Sequence, residues 1–67
     1  MNDVKIKVDY MYYTPAGRRK YNYDYGYGIT EMKAINLIKK KIRNRTRLNY
    51  NDVTILKMEV IWNLLEN

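Results

Sequence analysis

Two runs of alternating residues bracket a turn near the start of the chain, and no other feature limits the possible folds as much. "VKIKVDYMYY" (4–13) sets Val4, Ile6, Val8, Tyr10 and Tyr12 on one side and Lys5, Lys7, Asp9, Met11 and Tyr13 on the other. "RRKYNYDYGY" (18–27) follows with a tyrosine at every second position: Tyr21, Tyr23, Tyr25 and Tyr27. Period-two alternation of β-branched and aromatic residues marks a half-buried strand. Between the runs, "TPAG" (14–17) has turn chemistry: Pro15 presets φ and Gly17 accepts a left-handed backbone. The two runs read as a β-hairpin.

Which residues face each other depends on loop length. A four-residue loop from Thr14 to Gly17 sets Tyr13 against Arg18, and pairs Val4 with Tyr27, Ile6 with Tyr25, Val8 with Tyr23 and Tyr10 with Tyr21. All the apolar residues then share one face, and Lys7 lies across from Asp24 on the other. A slip of one residue would bury Asp24 and Asn22 beside Val8 and Tyr10, so the even loop is expected. The tyrosine row would then lie under the flank of a helix, with each hydroxyl reaching water past an apolar ring. The phenol is a deliberate choice, since the chain holds 8 Tyr and no Phe although both residues have AT-rich codons. The other reading is a stacking platform for bases, which requires the row's face to be uncovered.

Beyond the hairpin, Gly26 and Gly28 end the second strand, and Thr30 is placed to cap a helix with Glu31 in its first turn. "EMKAINLIKKKIRNR" carries an apolar stripe of Ala34, Ile35, Ile38 and Ile42, with Met32 and Leu37 at its margins; the helix is expected to end between Arg45 and Leu48. After the loop "NYND", "VTILKMEVIW" (53–62) reads as a third strand with Leu56, Met58, Val60 and Trp62 facing the core, and "NLLEN" as a short tail. The order β-β-α-β predicts a single α+β domain over residues 1–67. A right-handed crossover makes strands 2 and 3 parallel, giving a three-stranded sheet of order 2-1-3 with one helix on one face.

Sixty-seven residues lie near the lower limit for a core that folds unaided, and the chain has no Cys with which to reinforce it. Self-association is the expected reinforcement: exposed Val53, Ile55 and Ile61 beside Lys5, Lys7, Met11 and Tyr13 suggest a homodimer patch on the open sheet face. His is absent too, and the acids are scattered as Asp3, Asp9, Asp24, Glu31, Asp52, Glu59 and Glu66. That pattern argues against an enzyme, a metal site or any cofactor. No apolar run reaches the roughly 18 residues of a membrane span and no signal-peptide core is evident. A cytoplasmic protein complete from Met1 is the expectation.

A net charge of +6 points to acidic partners. Between Met32 and Asn51 the charged residues are Lys33, Lys39, Lys40, Lys41, Arg43, Arg45 and Arg47, without an acid among them. Lys33, Asn36, Lys40, Arg43 and Arg47 recur at helical spacing as a stripe opposite the apolar one. Cations in the last turn complement the helix dipole, but the run is longer than one turn. With Arg18, Arg19 and Lys20 at the hairpin tip, these residues (Arg45 included) form an expected surface for nucleic-acid phosphates or an acidic protein face. Tyr13, Tyr50 and Trp62 are the expected aromatic contacts.

The "YYTPAGRRKY" hairpin, "GITEMKAINLIKKKI" helix and "VTILKMEVI" strand give an arrangement similar to small phage and mobile-element counter-defence proteins, the anti-CRISPR proteins among them. That resemblance implies a host-directed binding protein acting in the host cytoplasm. Two functions follow. The first is a small basic non-catalytic protein that binds DNA or RNA through the phosphate contacts named above. The second is a phage or mobile-element inhibitor docking on a host nuclease or other nucleic-acid-binding defence complex, with aromatic anchors supplying the affinity.

Overall fold

The computed structural model describes residues 2–65. Strand β1 (Val4–Tyr13), strand β2 (Arg19–Gly28), helix α1 (Glu31–Thr46), a 3-10 turn (Tyr50–Asp52) and strand β3 (Thr54–Asn63) follow in order. The sheet order is β2-β1-β3, with β1 antiparallel to both neighbours. The α+β architecture and strand order expected from the sequence are therefore present. Glu66 and Asn67, the end of the expected tail, lie outside the described residues.

Helix α1 forms where its signals place it. The Thr30 hydroxyl accepts from the Lys33 N–H at 3.2 Å, and Glu31 occupies the first turn. Ala34, Ile38 and Ile42 are buried on the sheet side, while Ile35 is half-buried. The helix stops at Arg47, whose left-handed backbone (φ 65°) turns its N–H back to the Arg43 carbonyl at 2.9 Å. A left-handed Arg is an unfavourable cap, and glycine is the usual occupant of such a site.

The hairpin differs from the expectation by one residue. Gly17 N–H donates to the Thr14 carbonyl at 2.8 Å, and Thr14 N–H donates to the Arg18 carbonyl at 2.9 Å. The loop is thus the three residues Pro15, Ala16 and Gly17, with Gly17 at φ 81°. A tight turn followed by a left-handed glycine is the usual three-residue hairpin connection, and its odd length reverses the parity of the returning strand. Val4 faces Gly28, Lys5 faces Tyr27, Lys7 faces Tyr25 and Asp9 faces Tyr23. The tyrosine row therefore lies on the sheet face opposite the helix, not against the core. Lys7 lies across from Tyr25 rather than Asp24, and pairs with Asp9 at 3.7 Å.

What turns inward from β2 is Asp24, Gly26 and Gly28. The glycines are there because the helix needs their space. A Cβ on Gly26 would collide with the Ala34 carbonyl and sit 2.6 Å from Ile38 Cγ1; one on Gly28 would sit 2.8 Å from the Ala34 nitrogen. Asp24 is only 3 % exposed. Its carboxylate accepts from the Tyr10 hydroxyl at 2.8 Å and from Arg45 Nε at 2.8 Å. The burial that argued against this register is thus compensated by a phenol from β1 and a guanidinium from α1.

The core consists of Val4, Ile6, Val8 and Tyr10 from β1, Ala34, Ile38 and Ile42 from α1, and Val53, with Ile55 packed against it; Val53 and Ile55 therefore do not form the exposed open-face patch expected of them. Drawn in by the glycines, α1 packs on β2 and β1 and barely touches β3. The predicted core face of β3 is accordingly not a core: Leu56, Met58, Val60 and Trp62 are all exposed. The pairing with β1 shifts register twice, leaving Leu56 and Ile61 as extra residues. These bulges send Trp62 to the open face opposite Lys5, while Ile55, Met58 and Val60 stay level with Tyr10, Val8 and Ile6.

Gly26→Ala should cost about 3 kcal/mol of stability in urea unfolding, because the backbone of α1 must move to admit one methyl. Tyr10 gives a second expectation. Burial, and then the hydrogen bond to Asp24, raise its pKa above the usual value of 10.0. A raised folded-state pKa means this stabilisation is intact below about pH 10 and is lost as pH climbs through the folded value. Phenolate absorbance compared between the native chain and Tyr10→Phe should isolate one late-ionising phenol, and the variant should show a shallower alkaline loss of stability.

Candidate nucleic-acid interface

The open sheet face is built by the odd-numbered residues of the hairpin. β2 contributes Tyr21, Tyr23, Tyr25 and Tyr27, facing Met11, Asp9, Lys7 and Lys5 of β1 in that order. β3 adds Trp62 beside Lys5 and, one strand repeat away, Glu59 beside Lys7 and Lys57 beside Asp9. No helix covers these side chains, because α1 lies on the other face.

The cations and rings form one connected array. Lys5 Nζ lies 4.7 Å from the Tyr25 ring centroid, 5.2 Å from that of Tyr27 and 5.0 Å from that of Trp62. Lys7 Nζ lies 4.7 Å from the Tyr23 centroid. Tyr23 and Tyr25 meet edge-on, with centroids 5.8 Å apart and planes at 84°. At the hairpin end, Arg19 lies 3.4 Å from the Tyr21 hydroxyl, a contact that raises the guanidinium pKa, with Tyr13 a smaller cause. Asp9 and Glu59 are each tied to a lysine of their own strand, Lys7 at 3.7 Å and Lys57 at 3.4 Å. Among the described residues Lys5 and Arg19 have no such acid, so the face these residues form carries a positive excess.

A cation over an exposed ring gains about 0.5–1 kcal/mol, whereas a nucleobase stacked on a ring gains about 1–3 kcal/mol. By these magnitudes a base stacked on such a ring would outcompete the ammonium and leave it available to an anion. The phenol hydroxyls explain the absence of Phe: on a bare face each ring edge must tolerate water, and each hydroxyl can hydrogen-bond a ligand.

Of the residues expected to form the site, Arg43 and Arg47 share a cleft at the end of α1, and Arg45 and Arg47 line another with Tyr13 at the hairpin end. Lys33, Lys40, Arg43 and Arg47 are exposed on or beside α1, on the side of the molecule away from the rings. Arg43 donates to Asn49 Oδ1 at 2.6 Å. Arg45 donates through Nε to Asp24 at 2.8 Å, and its side chain remains 55 % exposed. Arg18, Arg19 and Lys20 are exposed at the tip, where only Arg19 shares the parity of the tyrosine row. Among the aromatic candidates, Tyr13 is exposed at the end of β1 and Trp62 joins the ring array. Tyr50 is half-buried beneath Lys39, whose Nζ lies 5.5 Å from its centroid.

Sequence reasoning placed Lys5 and Lys7 on the open face and weighed the tyrosine row as a stacking platform, but assigned the row to the helix side and so did not bring the cations and rings together. The available signal was Gly26 and Gly28 in phase with Asp24: two residues without side chains mark the face that a helix approaches. Among the described residues there is no cluster that could hold a metal ion, and no helix is long and apolar enough to cross a membrane. Comparison with known proteins finds no matching family model, no matching curated protein and no matching solved structure.

Trp62 is the only tryptophan, so its fluorescence reports this face directly. Iodide should quench it more efficiently than caesium, because Lys5 attracts the anion. Lys5→Glu should reverse that order. Equal, weak quenching by both ions would instead indicate a buried indole.

Proposed function

We propose that this protein binds single-stranded nucleic acid on its open sheet face, with Tyr23, Tyr25, Tyr27 and Trp62 stacking on bases and Lys5, Lys7 and Arg19 neutralising phosphates. The observation that carries the reading is the Lys5 array, in which one ammonium lies over the half-buried rings of Tyr25 and Tyr27 and the exposed ring of Trp62, on the sheet face opposite the helix. Stacking tolerates any base, since every base has a π-face, and so predicts modest sequence preference. An extended strand suits the site better than a duplex, whose bases are already stacked. The outer face of α1 lies on the opposite side of the sheet from the rings. Its lysines and arginines strengthen the field that attracts a polyanion and make no base contacts.

A second reading, docking on an acidic protein as an inhibitor, draws on the same exposed phenols and indole, which are the residues most often found as interface anchors. The two readings differ in their response to salt and to Tyr→Ala changes assayed on naked nucleic acid.

The test is fluorescence anisotropy with labelled single-stranded DNA and RNA of about 12 nucleotides, a length within the range one small aromatic sheet face occupies. Tyr25→Ala and Tyr23→Ala should each weaken binding about tenfold or more, and Tyr25→Phe much less. Lys5→Ala should lower the dependence of log affinity on log salt by about one phosphate contact. Lys40→Glu and Arg43→Glu should have smaller effects than the tyrosine variants at physiological salt. Loss of binding in the helix variants, with the tyrosine variants unaffected, would return the site to α1.

A further inference from the structure

We propose that the chain forms a two-fold dimer by pairing β3 with β3 of a second copy, edge to edge and antiparallel, to give a six-stranded sheet with both helices on one face. This does not depend on whether the open face binds nucleic acid.

The two edges of the sheet are treated differently. On β2, Lys41 reaches across to donate to the outward Tyr25 carbonyl at 2.7 Å, and its Nζ lies 5.4 Å from the Tyr27 ring. A lysine laid over an edge strand is a common guard against further pairing. β3 is the opposite edge, ten residues long, with backbone groups directed away from β1. Its side chains on the helix side are apolar and uncovered: Met58 is 45 % exposed and Val60 48 %. An edge with these properties is a template for another strand.

Charge and symmetry then select a second copy as the occupant, and one register for it. Under a two-fold axis perpendicular to the sheet, facing residues of the antiparallel pair must lie on the same side. Centred on Met58, such a pair sets Lys57 of each copy against Glu59 of the other. Moving the centre by one residue sets Lys57 against Lys57 in one direction and Glu59 against Glu59 in the other. Only the Met58-centred register turns both charges into cross-strand ion pairs, and like charges directly opposite are destabilising. It also brings the two Met58 side chains together, with Val60 of each copy next to them. The bulges at Leu56 and Ile61 confine regular pairing to the stretch between them. With β2 guarded, the assembly closes at two copies and does not grow into a filament. For a chain without disulfides and with so small a core, this added burial is a direct source of stability.

The experiment is sedimentation equilibrium of the native chain and four variants up to about 1 mM, which detects even millimolar association. The native chain should dimerise. Lys57→Glu and Glu59→Lys, both at exposed positions, should each raise the dissociation constant about tenfold or more, because two unlike pairs become two like pairs. Mixing these two variants should produce a one-to-one heterodimer, and the double exchange K57E/E59K should restore self-association. Circular dichroism checks that each variant is folded. A native chain that stays monomeric over this range overturns the proposal, as do single variants that dimerise as tightly as the native chain. Met58→Asp, changed on the helix side of β3 and not on the open face, should also be monomeric; nucleic-acid binding by that variant would leave the open-face reading intact, so the two proposals fail separately.

Discussion

A single left-handed glycine at the hairpin tip decides which way every side chain of β2 points. With Gly17 at φ 81°, the connection has an odd number of residues and the returning strand is offset by one against β1. Side chains alternate with period two, so a shift of one carries the whole strand's pattern from one face to the other. Asp24, Gly26 and Gly28 turn toward the helix, and the tyrosines turn toward solvent. The close seating of α1, the buried hydrogen-bond network and the aromatic face all follow from that offset.

The competing register is not unreasonable on hydrophobicity, and packing decides against it. Tyrosine rings under α1 would gain burial, worth about 1.5–3 kcal/mol for a large side chain. They would, however, occupy the space that Gly26 and Gly28 leave empty, where even a methyl group meets the backbone of Ala34. The helix would be lifted from the sheet, and Ala34, Ile38 and Ile42 would lose contact with β1. Against this stands the burial of Asp24, which unpaired would cost several kcal/mol. Paired with Tyr10 and Arg45 it makes two hydrogen bonds involving a charged group, each worth about 1.5–3 kcal/mol. The buried acid becomes tolerable because β1 and α1 each deliver a donor to it, and because Arg45 keeps its other face in water.

Much of this was legible in the chain. Thr30, the Ala34–Ile38–Ile42 stripe and the end of the helix near Arg47 are local signals, and local signals survive folding. The strand order followed from the handedness of the crossover. The loop length did not, because "TPAG" is compatible with either a four-residue loop or a three-residue loop whose last member is a left-handed glycine. The role of Arg45 was hidden for a different reason: its partner lies twenty-one positions away on another element, and within the helix it looks like one more cation in a basic run. In β3, "TILKMEVIW" is apolar in both phases. Alternation could not assign its faces, and the bulges at Leu56 and Ile61 break what alternation there is.

The same two glycines account for the division of labour around the sheet. By drawing α1 onto β2 they bring Lys41 within reach of that strand's outer edge, and they leave the far strand without a cover. A single sixteen-residue helix, placed off-centre, cannot shield three ten-residue strands. Among the described residues no other element covers β3, yet Met58 and Val60 remain apolar there, and Lys57 and Glu59 stand two residues apart with opposite charge. Solvated edges are commonly blunted by charge, proline or bulges, and an apolar stretch between two bulges is the part of such an edge left open to pairing. The pattern on β3, apolar on the helix side and of paired charge on the other, is what the proposed pairing with a second copy would use.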